Sequence, residues 1–173
     1  MSAYQYVVVG GGLAGGKAVE GIREVDEEGS VALVTREPRR PYHRPPLSKT
    51  YLRGEETREE MYLEQDTEYY TDHGVNLIVS AEAVRFDRGA RHLGLDDGRH
   101  LDYESLLLAT GGDAKRLPIE GNALPNVFTL RTVEDSDAIR EAAGEGKHAL
   151  ILGGSFIGAE VAASLAMLGA QVT

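Results

Sequence analysis

The sequence predicts an α/β fold in which two strand–glycine–helix units flank a set of short antiparallel strands. In the first unit, residues 4–9 are mainly aromatic and β-branched and run without alternation into three glycines, as expected of a strand buried on both faces of a parallel sheet. The same pattern recurs at residues 149–168. Between the two units, short runs bounded by turn residues favour an antiparallel meander.

The first unit has the length of a right-handed β-α-β crossover. Residues 4–9 form the predicted first strand, residues 13–24 a helix, and residues 31–34 a second buried strand. A polar loop separates the helix from the second strand, so we expect the two strands to lie side by side and parallel.

Proline, helix and strand signals follow one another in the middle of the chain. Pro45 and Pro46 favour an extended approach to a short helix at residues 47–52. A longer amphipathic helix is predicted at residues 59–70 and a short strand at residues 75–79.

The meander is predicted from three short strands at residues 83–86, 91–95 and 99–103, with an Asp-Gly hairpin turn at residues 97–98. Residues 106–109 then return to a buried strand of the parallel type.

The second strand–glycine–helix unit follows a proline-containing linker. A helix is predicted at residues 133–143, beginning near Thr132, then a strand at residues 149–152 and a helix at residues 156–168. Residues 172–173 read as the start of a further strand.

Composition excludes several kinds of function. The net charge of −10 gives no electrostatic reason to expect nucleic-acid binding, and the lack of cysteine excludes disulfides and thiolate metal sites within the chain. The five histidines show no ligand spacing, so no metal site is expected. No basic stretch precedes the first apolar run, and residues 156–172 are too few for a membrane span. We therefore expect a cytoplasmic protein without a membrane or nucleic-acid partner.

Gly10, Gly12 and Gly15 match the G-x-G-x-x-G pattern of dinucleotide-binding turns. The first glycine permits the tight turn, the second lets the backbone approach a pyrophosphate, and the third lets the helix pack on the strand. Leu13 and Ala14 open the helix, whose positive end would face the phosphates. A purely structural glycine turn is the alternative, but the strand–turn–helix–strand context favours dinucleotide binding.

An acidic residue after the second strand completes this kind of site. Glu37 is the candidate for a hydrogen bond to a ribose hydroxyl. The neighbouring Arg36 leaves the register open by one residue, and a surface glutamate without a ligand is the alternative.

The second glycine turn departs from the pattern at its centre. Ser155 stands where the middle glycine is expected and adds a side chain where a pyrophosphate would approach. We therefore expect dinucleotide binding there to be weakened or shifted. The turn consists of Gly153, Gly154, Ser155, Phe156, Ile157 and Gly158.

A nine-residue segment closely resembles the PYxRPPLSK motif of the FAD-dependent ferredoxin reductase family. These flavoproteins, of the pyridine nucleotide-disulfide oxidoreductase type, include the reductases of oxygenase ferredoxins, putidaredoxin and rubredoxin. They are related to apoptosis-inducing factor and monodehydroascorbate reductase. The likeness continues through residues 51–52, 106–112, 130–132 and 158–163. The motif itself reads Pro41-Tyr42-His43-Arg44-Pro45-Pro46-Leu47-Ser48-Lys49.

The resemblance implies two domains and a longer protein. Residues 1–115 would be the first segment of a Rossmann-like FAD-binding domain with an antiparallel β-meander. Residues 116–173 would be the truncated start of a second Rossmann-like domain, which binds NAD(P). The chain would then be the N-terminal part of a reductase.

The resemblance also implies roles for individual residues in the first domain. The turn glycines would hold the FAD pyrophosphate and Glu37 the adenosine ribose. The backbone near Ala83 would meet adenine, while Thr110 and Gly111 would line the cofactor. Lys115 stands where the family has an arginine, so it keeps the charge but loses the bidentate fork.

By the same resemblance, Arg44 and Lys49 lie beside the flavin. Reduction of a flavin leaves negative charge on the ring, which a fixed ammonium group stabilises. The resemblance supplies Glu160 as the partner of Lys49 across the nicotinamide face. The alternatives are a solvent-facing lysine after a proline turn and a helix glutamate with other partners.

The lack of cysteine separates related enzyme classes. Disulfide reductases and peroxide-type NADH oxidases need a reactive cysteine near the flavin, and the chain has none. The predicted function is therefore an FAD-dependent oxidoreductase that passes electrons from NADH or NADPH through flavin to a ferredoxin or rubredoxin type carrier. One alternative is a monodehydroascorbate-type or other small-oxidant reductase. Another is an inactive fragment that binds FAD weakly or not at all.

Overall fold

A computed structural model describes residues 2–63 and 66–173, and the chain divides into two compact units. The first unit consists of Met1–His43 and Tyr62–Gly111, and the second consists of Arg44–Met61 and Gly112–Thr173. The predicted domain boundary after residue 115 stays a prediction about function.

The first unit is built on one mixed six-stranded sheet, which confirms the predicted α/β class. In spatial order the strands are β3-β2-β1-β6-β5-β4. The first four of these are parallel, whereas β4, β5 and β6 form the predicted antiparallel meander. The strands are β1 (Ser2–Val9), β2 (Val31–Val34), β3 (Val75–Ile78), β4 (Ala83–Asp87), β5 (His92–Leu95) and β6 (His100–Leu108).

Strand β6 joins two strands that the sequence predicted separately, at residues 99–103 and 106–109. It pairs with β5 antiparallel through its first residues and with β1 parallel along nearly its whole length. No glycine or proline separates the two predicted segments, so one strand can continue through both and use each of its two edges for a different neighbour. Burial at its carboxyl end was predicted wrongly, because Leu107 and Leu108 are 44% and 53% exposed.

Helix α1 (Leu13–Val25) packs against β1 and β2, and its buried residues are small or aliphatic apart from one arginine. Its buried side consists of Gly15, Gly16, Val19 and Arg23. The Arg23 guanidinium is satisfied because Nε donates to the His73 carbonyl at 2.7 Å and Nη1 to that of Asp26 at 2.9 Å. An arginine thus ends the apolar stripe without leaving a buried charge unpaired.

The single helix predicted at residues 59–70 is replaced by two short helices, α3 (Arg58–Met61) and α4 (Thr67–Asp72). Tyr62 forms an isolated antiparallel bridge with Tyr42, and the Leu63 N–H donates to a carbonyl rather than continuing a helix. Glu64 and Gln65 lie outside the described residues.

The second unit begins with a 3-10 turn (Pro45–Ser48) and helix α2 (Thr50–Arg53). Helices α5 (Val133–Ala142) and α6 (Phe156–Met167) follow, with the short parallel strands β7 (His148–Ala149) and β8 (Gln171–Val172). Its core is apolar and includes Leu52, Ile139, Val161, Leu165 and Ala170.

The ends of two predicted elements in this unit have clear local causes. Helix α5 begins at Thr132 as predicted, because Thr132 and Asp135 form a reciprocal capping box. The strand predicted at residues 149–152 is shorter, since only His148 and Ala149 pair as strand residues, although the Ile151 N–H still donates to the Thr173 carbonyl at 2.8 Å.

Among the described residues, none of the helices combines the length and apolar character needed to cross a membrane.

Candidate functional site

The first glycine turn links β1 to α1, and two of its glycines are required by packing within the first unit. Gly10 has φ +125°, and a Cβ placed on it would lie 2.1 Å from the Ala109 carbonyl oxygen. A Cβ on Gly15 would lie 1.8 Å from the Gly10 carbonyl oxygen. Strand, turn and helix therefore approach one another as closely as the sequence motif predicts.

Gly12 behaves differently from its two neighbours. It is the N-cap of α1 with φ −90°, and a Cβ on it would meet nothing within 4 Å. The N–H groups of the first helical turn, which includes Leu13 and Ala14, have no partner within a helix. The N-cap residue, a glycine, has no side chain to cap them, and no acidic residue lies in that turn. Open space in front of a positive helix end suits the approach of a phosphate group.

Glu37 follows β2 and is held by a tyrosine from the segment that resembles the reductase motif. The Tyr42 hydroxyl donates to Glu37 Oε2 at 2.6 Å, and the Glu37 N–H donates to Thr35 Oγ1 at 3.2 Å. Thr35 in turn faces the glycine turn, because a Cβ on Gly11 would lie 2.4 Å from its Oγ1. Sequence reasoning missed the support of Glu37 by Tyr42 and Thr35, although the five-residue spacing of Glu37 and Tyr42 was visible.

The remaining predicted residues of the first unit lie at strand ends. Thr110 follows β6 and is close to the turn, since a Cβ on Gly10 would lie 3.0 Å from its backbone nitrogen. Gly111 has φ +69°, and Ala83 opens β4. The structure thus brings Gly10 and Thr110 together, as the carboxyl ends of neighbouring parallel strands should be.

In the second unit, Lys49 and Glu160 form an ion pair. Lys49 lies between the 3-10 turn and α2, and its Nζ is 3.0 Å from Glu160 Oε1 on α6. The second carboxylate oxygen accepts a hydrogen bond from Ser48 Oγ at 2.6 Å. The pairing implied by the sequence resemblance is therefore present, and Ser48 is an addition that sequence reasoning did not make.

The hydrogen bond from Ser48 is the main reason that the pKa of the Glu160 carboxyl is lowered, and the hydrogen bond from Lys49 adds to it. The carboxylate therefore stays ionised at neutral pH. Since the two side chains are 44% and 30% exposed, water screens much of their attraction, and the pair fixes geometry more than it stabilises the fold.

This ion pair forms part of the wall of a cleft of about 260 Å³ within the second unit. Arg44 also contributes, and its Nη1 donates to the Arg131 carbonyl at 2.6 Å, which ties two parts of the wall together. Cationic and apolar side chains share the lining. The lining residues are Arg44, Pro45, Leu47, Ser48, Lys49, Leu130, Arg131, Phe156, Ile157 and Glu160.

The second glycine turn precedes α6 and meets this cleft through Phe156 and Ile157. Gly153 has φ +112°, and a Cβ on Gly158 would lie 2.1 Å from the Gly153 carbonyl oxygen. Ser155 is the N-cap of α6 but makes no capping hydrogen bond with its side chain. A Cβ on Gly154 would meet nothing within 4 Å.

Lys115, a further predicted cofactor contact, is exposed in the linker before α5.

Comparison with known proteins assigns a family to this arrangement. Residues 4–173 match the model of the pyridine nucleotide-disulphide oxidoreductase family. The chain belongs to this family. As a member of it, the chain places two glycine turns and a lysine–glutamate pair on a fold shared with reductases.

Several relatives are, by name, reductases of small electron carriers. A probable ferredoxin reductase of Castellaniella defragrans is 39% identical over 163 residues, covering 94% of this chain and 40% of the relative. Rhodocoxin reductase of Rhodococcus erythropolis is 37% identical over 167 residues, covering 96% of this chain and 39% of the relative. The chain thus spans about two fifths of the length of these curated relatives.

A solved structure agrees with this assignment. The covalent putidaredoxin reductase–putidaredoxin complex contains a chain that matches with a TM-score of 0.91 and 36% identity. The match covers 99% of this chain and 42% of that one.

Proposed function

We propose that the chain carries the FAD site and the start of the nicotinamide site of an NAD(P)H-dependent flavoprotein reductase. In the whole protein, electrons would pass from NADH or NADPH to a ferredoxin or rubredoxin type carrier in the cytoplasm. The main support is the Lys49–Glu160 ion pair in a cleft next to a glycine turn. The names of the reductase relatives support the acceptor class.

The residues of the first unit fit an FAD dinucleotide. The space over Gly12 would accommodate a pyrophosphate at the first turn of α1. The backbone N–H groups of Leu13 and Ala14, in that turn, would donate to its oxygen atoms. Glu37, held by Tyr42, would bind the adenosine ribose. The Ala83 backbone would meet adenine, and Thr110 and Gly111 would line the cofactor. The cofactor contact of Lys115, which lies in the second unit, stays a prediction.

The residues of the second unit fit the redox end of the reaction. When bound, FAD would supply the hydride-accepting and single-electron chemistry of the reaction. Lys49 and Arg44 would place positive charge beside the flavin ring, and a fixed cation costs no reorganisation when negative charge develops there. Glu160 keeps the Lys49 ammonium in one place. The turn from Gly153 to Gly158 would bind the nicotinamide dinucleotide.

Electron exit through a thiol relay within this chain is excluded by its lack of cysteine. Single-electron transfer to a separate carrier is consistent with that composition.

The test is Lys49→Gln in FAD-loaded protein, with Lys17→Gln on the exposed face of α1 as the matched loss of one positive charge. We expect Lys49→Gln to slow flavin reduction by NAD(P)H about tenfold to a hundredfold, the range for losing one group that stabilises developing charge. Lys17→Gln should leave the rate unchanged. Stopped-flow bleaching of the yellow flavin absorption measures both.

Two outcomes would contradict the proposal. One is a folded protein that stays colourless after incubation with FAD. The other is an unchanged reduction rate in Lys49→Gln. Comparison of ferredoxin with the monodehydroascorbate radical as acceptor, in the whole protein, decides between the carrier and the small oxidant.

A further inference from the structure

Ser48 is held at two points by one face of α6. Its hydroxyl donates to Glu160 Oε2 at 2.6 Å, while its carbonyl accepts from Ser164 Oγ at 2.7 Å. Residues 160 and 164 are one helical turn apart and share a face. Both serines are buried, at 5% and 1% exposure, so water does not readily replace either hydrogen bond.

The geometry decides where the Ser48 hydroxyl proton points. The Pro45 carbonyl lies 3.3 Å from the same Oγ, whereas the Glu160 carboxylate lies 2.6 Å away and is ionised. Hydrogen bonds to ionised acceptors are shorter and stronger than those to neutral carbonyls. The Ser48 hydroxyl therefore donates its hydrogen bond to the Glu160 carboxylate.

A second helix fixes the preceding carbonyl. Ser136 Oγ on α5 donates to the Leu47 carbonyl at 2.8 Å, and Ser136 is fully buried. Arg53 Nη1 donates to Ser164 Oγ at 3.2 Å, which orients that hydroxyl. Two consecutive carbonyls before Lys49 are thus held from two helices.

We propose that Ser48 is a positioning residue. Held by its hydrogen bonds to Glu160 and Ser164, it sets the register, that is the relative position, of the Lys49 ammonium and the Glu160 carboxylate. Lys49 follows directly, with φ −128° and ψ −112°, outside helical geometry, so its direction depends on where Ser48 is held. The meaning of this register for electron transfer rests on the proposed function.

Removal of the Ser48 hydroxyl takes away the first cause of the low Glu160 pKa. A carboxylate with fewer donors is protonated at higher pH, and a neutral Glu160 no longer pairs with Lys49. The other charged groups that line the cleft are Arg44 and Arg131, both cationic, so they do not reverse this direction.

The experiment titrates the Glu160 carboxyl by carbon-13 NMR in the 173-residue chain, with the resonance assigned by Glu160→Gln. Ser48→Ala should shift the titration midpoint to higher pH, and Ser48→Thr, which keeps the hydroxyl, should restore it. Ser105→Ala, at an exposed position of β6, is the matched control and should leave the midpoint in place. An unmoved midpoint in folded Ser48→Ala overturns the proposal.

A second pair of variants keeps the test independent of Ser48 folding. Ser164→Ala removes the hydrogen bond to the Ser48 carbonyl but no hydrogen bond to the Glu160 carboxylate. We expect it to shift the Glu160 titration midpoint upward by less than Ser48→Ala does, and we expect Ser164→Thr to reverse that shift. An unshifted titration midpoint in folded Ser164→Ala would contradict the inference that Ser48 is positioned by both Glu160 and Ser164.

Reduction of FAD-loaded protein by NAD(P)H gives the functional readout. Ser48→Ala should slow it about threefold to tenfold, as for loss of one hydrogen bond to a charged group that is partly exposed to water, and should move the acid limb of the pH profile upward. If the wild-type protein is not reduced at all, the proposed function fails, while the NMR midpoint still decides the role of Ser48.

Discussion

The two glycine turns share a sequence pattern but differ in what holds them. In the first, the carbonyl of Ala109 approaches so closely that a Cβ on Gly10 would lie 2.1 Å from its oxygen. In the second, a Cβ on Gly153 would meet nothing within 4 Å. Both glycines have positive φ, at +125° and +112°. The first glycine of the first turn is therefore fixed by a neighbouring strand as well as by backbone conformation, whereas the first glycine of the second turn is required by its backbone conformation alone.

The middle position of the pattern, Gly12 in the first turn and Ser155 in the second, is not fixed by packing in the first turn. Gly12 lacks a packing reason to be glycine, so its open space is available to a ligand. Ser155 occupies the same place in the second turn and makes no capping hydrogen bond with its side chain. One motif thus contains positions required by the fold and positions left for binding.

The largest expected effect comes from alanine at the first glycine of each turn. Gly10→Ala combines a disfavoured backbone region with a steric clash, together about 4 kcal/mol, which should lower Tm by about 10 °C in a chain of this size. Gly153→Ala carries only the backbone term and should lower Tm by about 5 °C. Circular dichroism melts measure both.

Gly21→Ala is the matched control within α1. A Cβ there meets nothing within 4 Å, so the substitution should raise Tm by about 2 °C through helix propensity. Equal losses of stability in the two glycine variants would mean that the Ala109 carbonyl does not hold the first turn.

Alanine at Gly12 should separate binding from stability. Its φ of −90° suits alanine, so we expect the loss of a good N-cap to cost only about 0.5–1 kcal/mol. A methyl group in the path of the pyrophosphate should weaken FAD binding about tenfold or more, since this corresponds to only about 1.4 kcal/mol. Flavin fluorescence titration gives the Kd.

Ser155→Gly is the reciprocal change and should tighten NAD(P)H binding about twofold to fivefold, because it removes a side chain at the cost of a few tenths of a kcal/mol. Unchanged FAD binding in Gly12→Ala would show that the space over Gly12 is not used.

A smaller effect on FAD binding is expected from Tyr42, which holds Glu37. Tyr42→Phe removes the 2.6 Å hydrogen bond to Glu37, so the carboxylate should be held less firmly and FAD affinity should fall about threefold to tenfold. Tyr103→Phe is the control, because its hydroxyl contacts only the Asp87 carbonyl at 3.4 Å among the partners described. Equal FAD affinity of Tyr42→Phe and wild type would remove Glu37 from the proposed site.

Local signals predicted most of the fold. The glycine turns, the Asp-Gly hairpin and the Thr132 cap each depend on residues close in sequence, and each is present. The errors concern long-range packing. The fusion of two predicted strands into β6 depends on its pairing with β1 and β5.

The candidate site shows the same division. Motif and resemblance identified Lys49 and Glu160, and the structure brings them to 3.0 Å. They did not identify Ser48 or Ser164 as supports, because a serine carries no distinctive pattern until its partner is known. The contact between Ser48 and Glu160 spans 112 positions, which periodicity cannot detect.

Strand β6 has a consequence for how this chain tolerates insertions. The hairpin turn precedes one end of the strand, and Ala109, which limits Gly10, follows the other. Side chains alternate between faces along a strand, so one extra residue inside β6 would reverse every later side chain and displace the Ala109 carbonyl by about 3.3 Å. An extra residue in the hairpin loop would change neither. The length of β6, nine residues, therefore sets the position of the Ala109 carbonyl relative to Gly10 in the first turn.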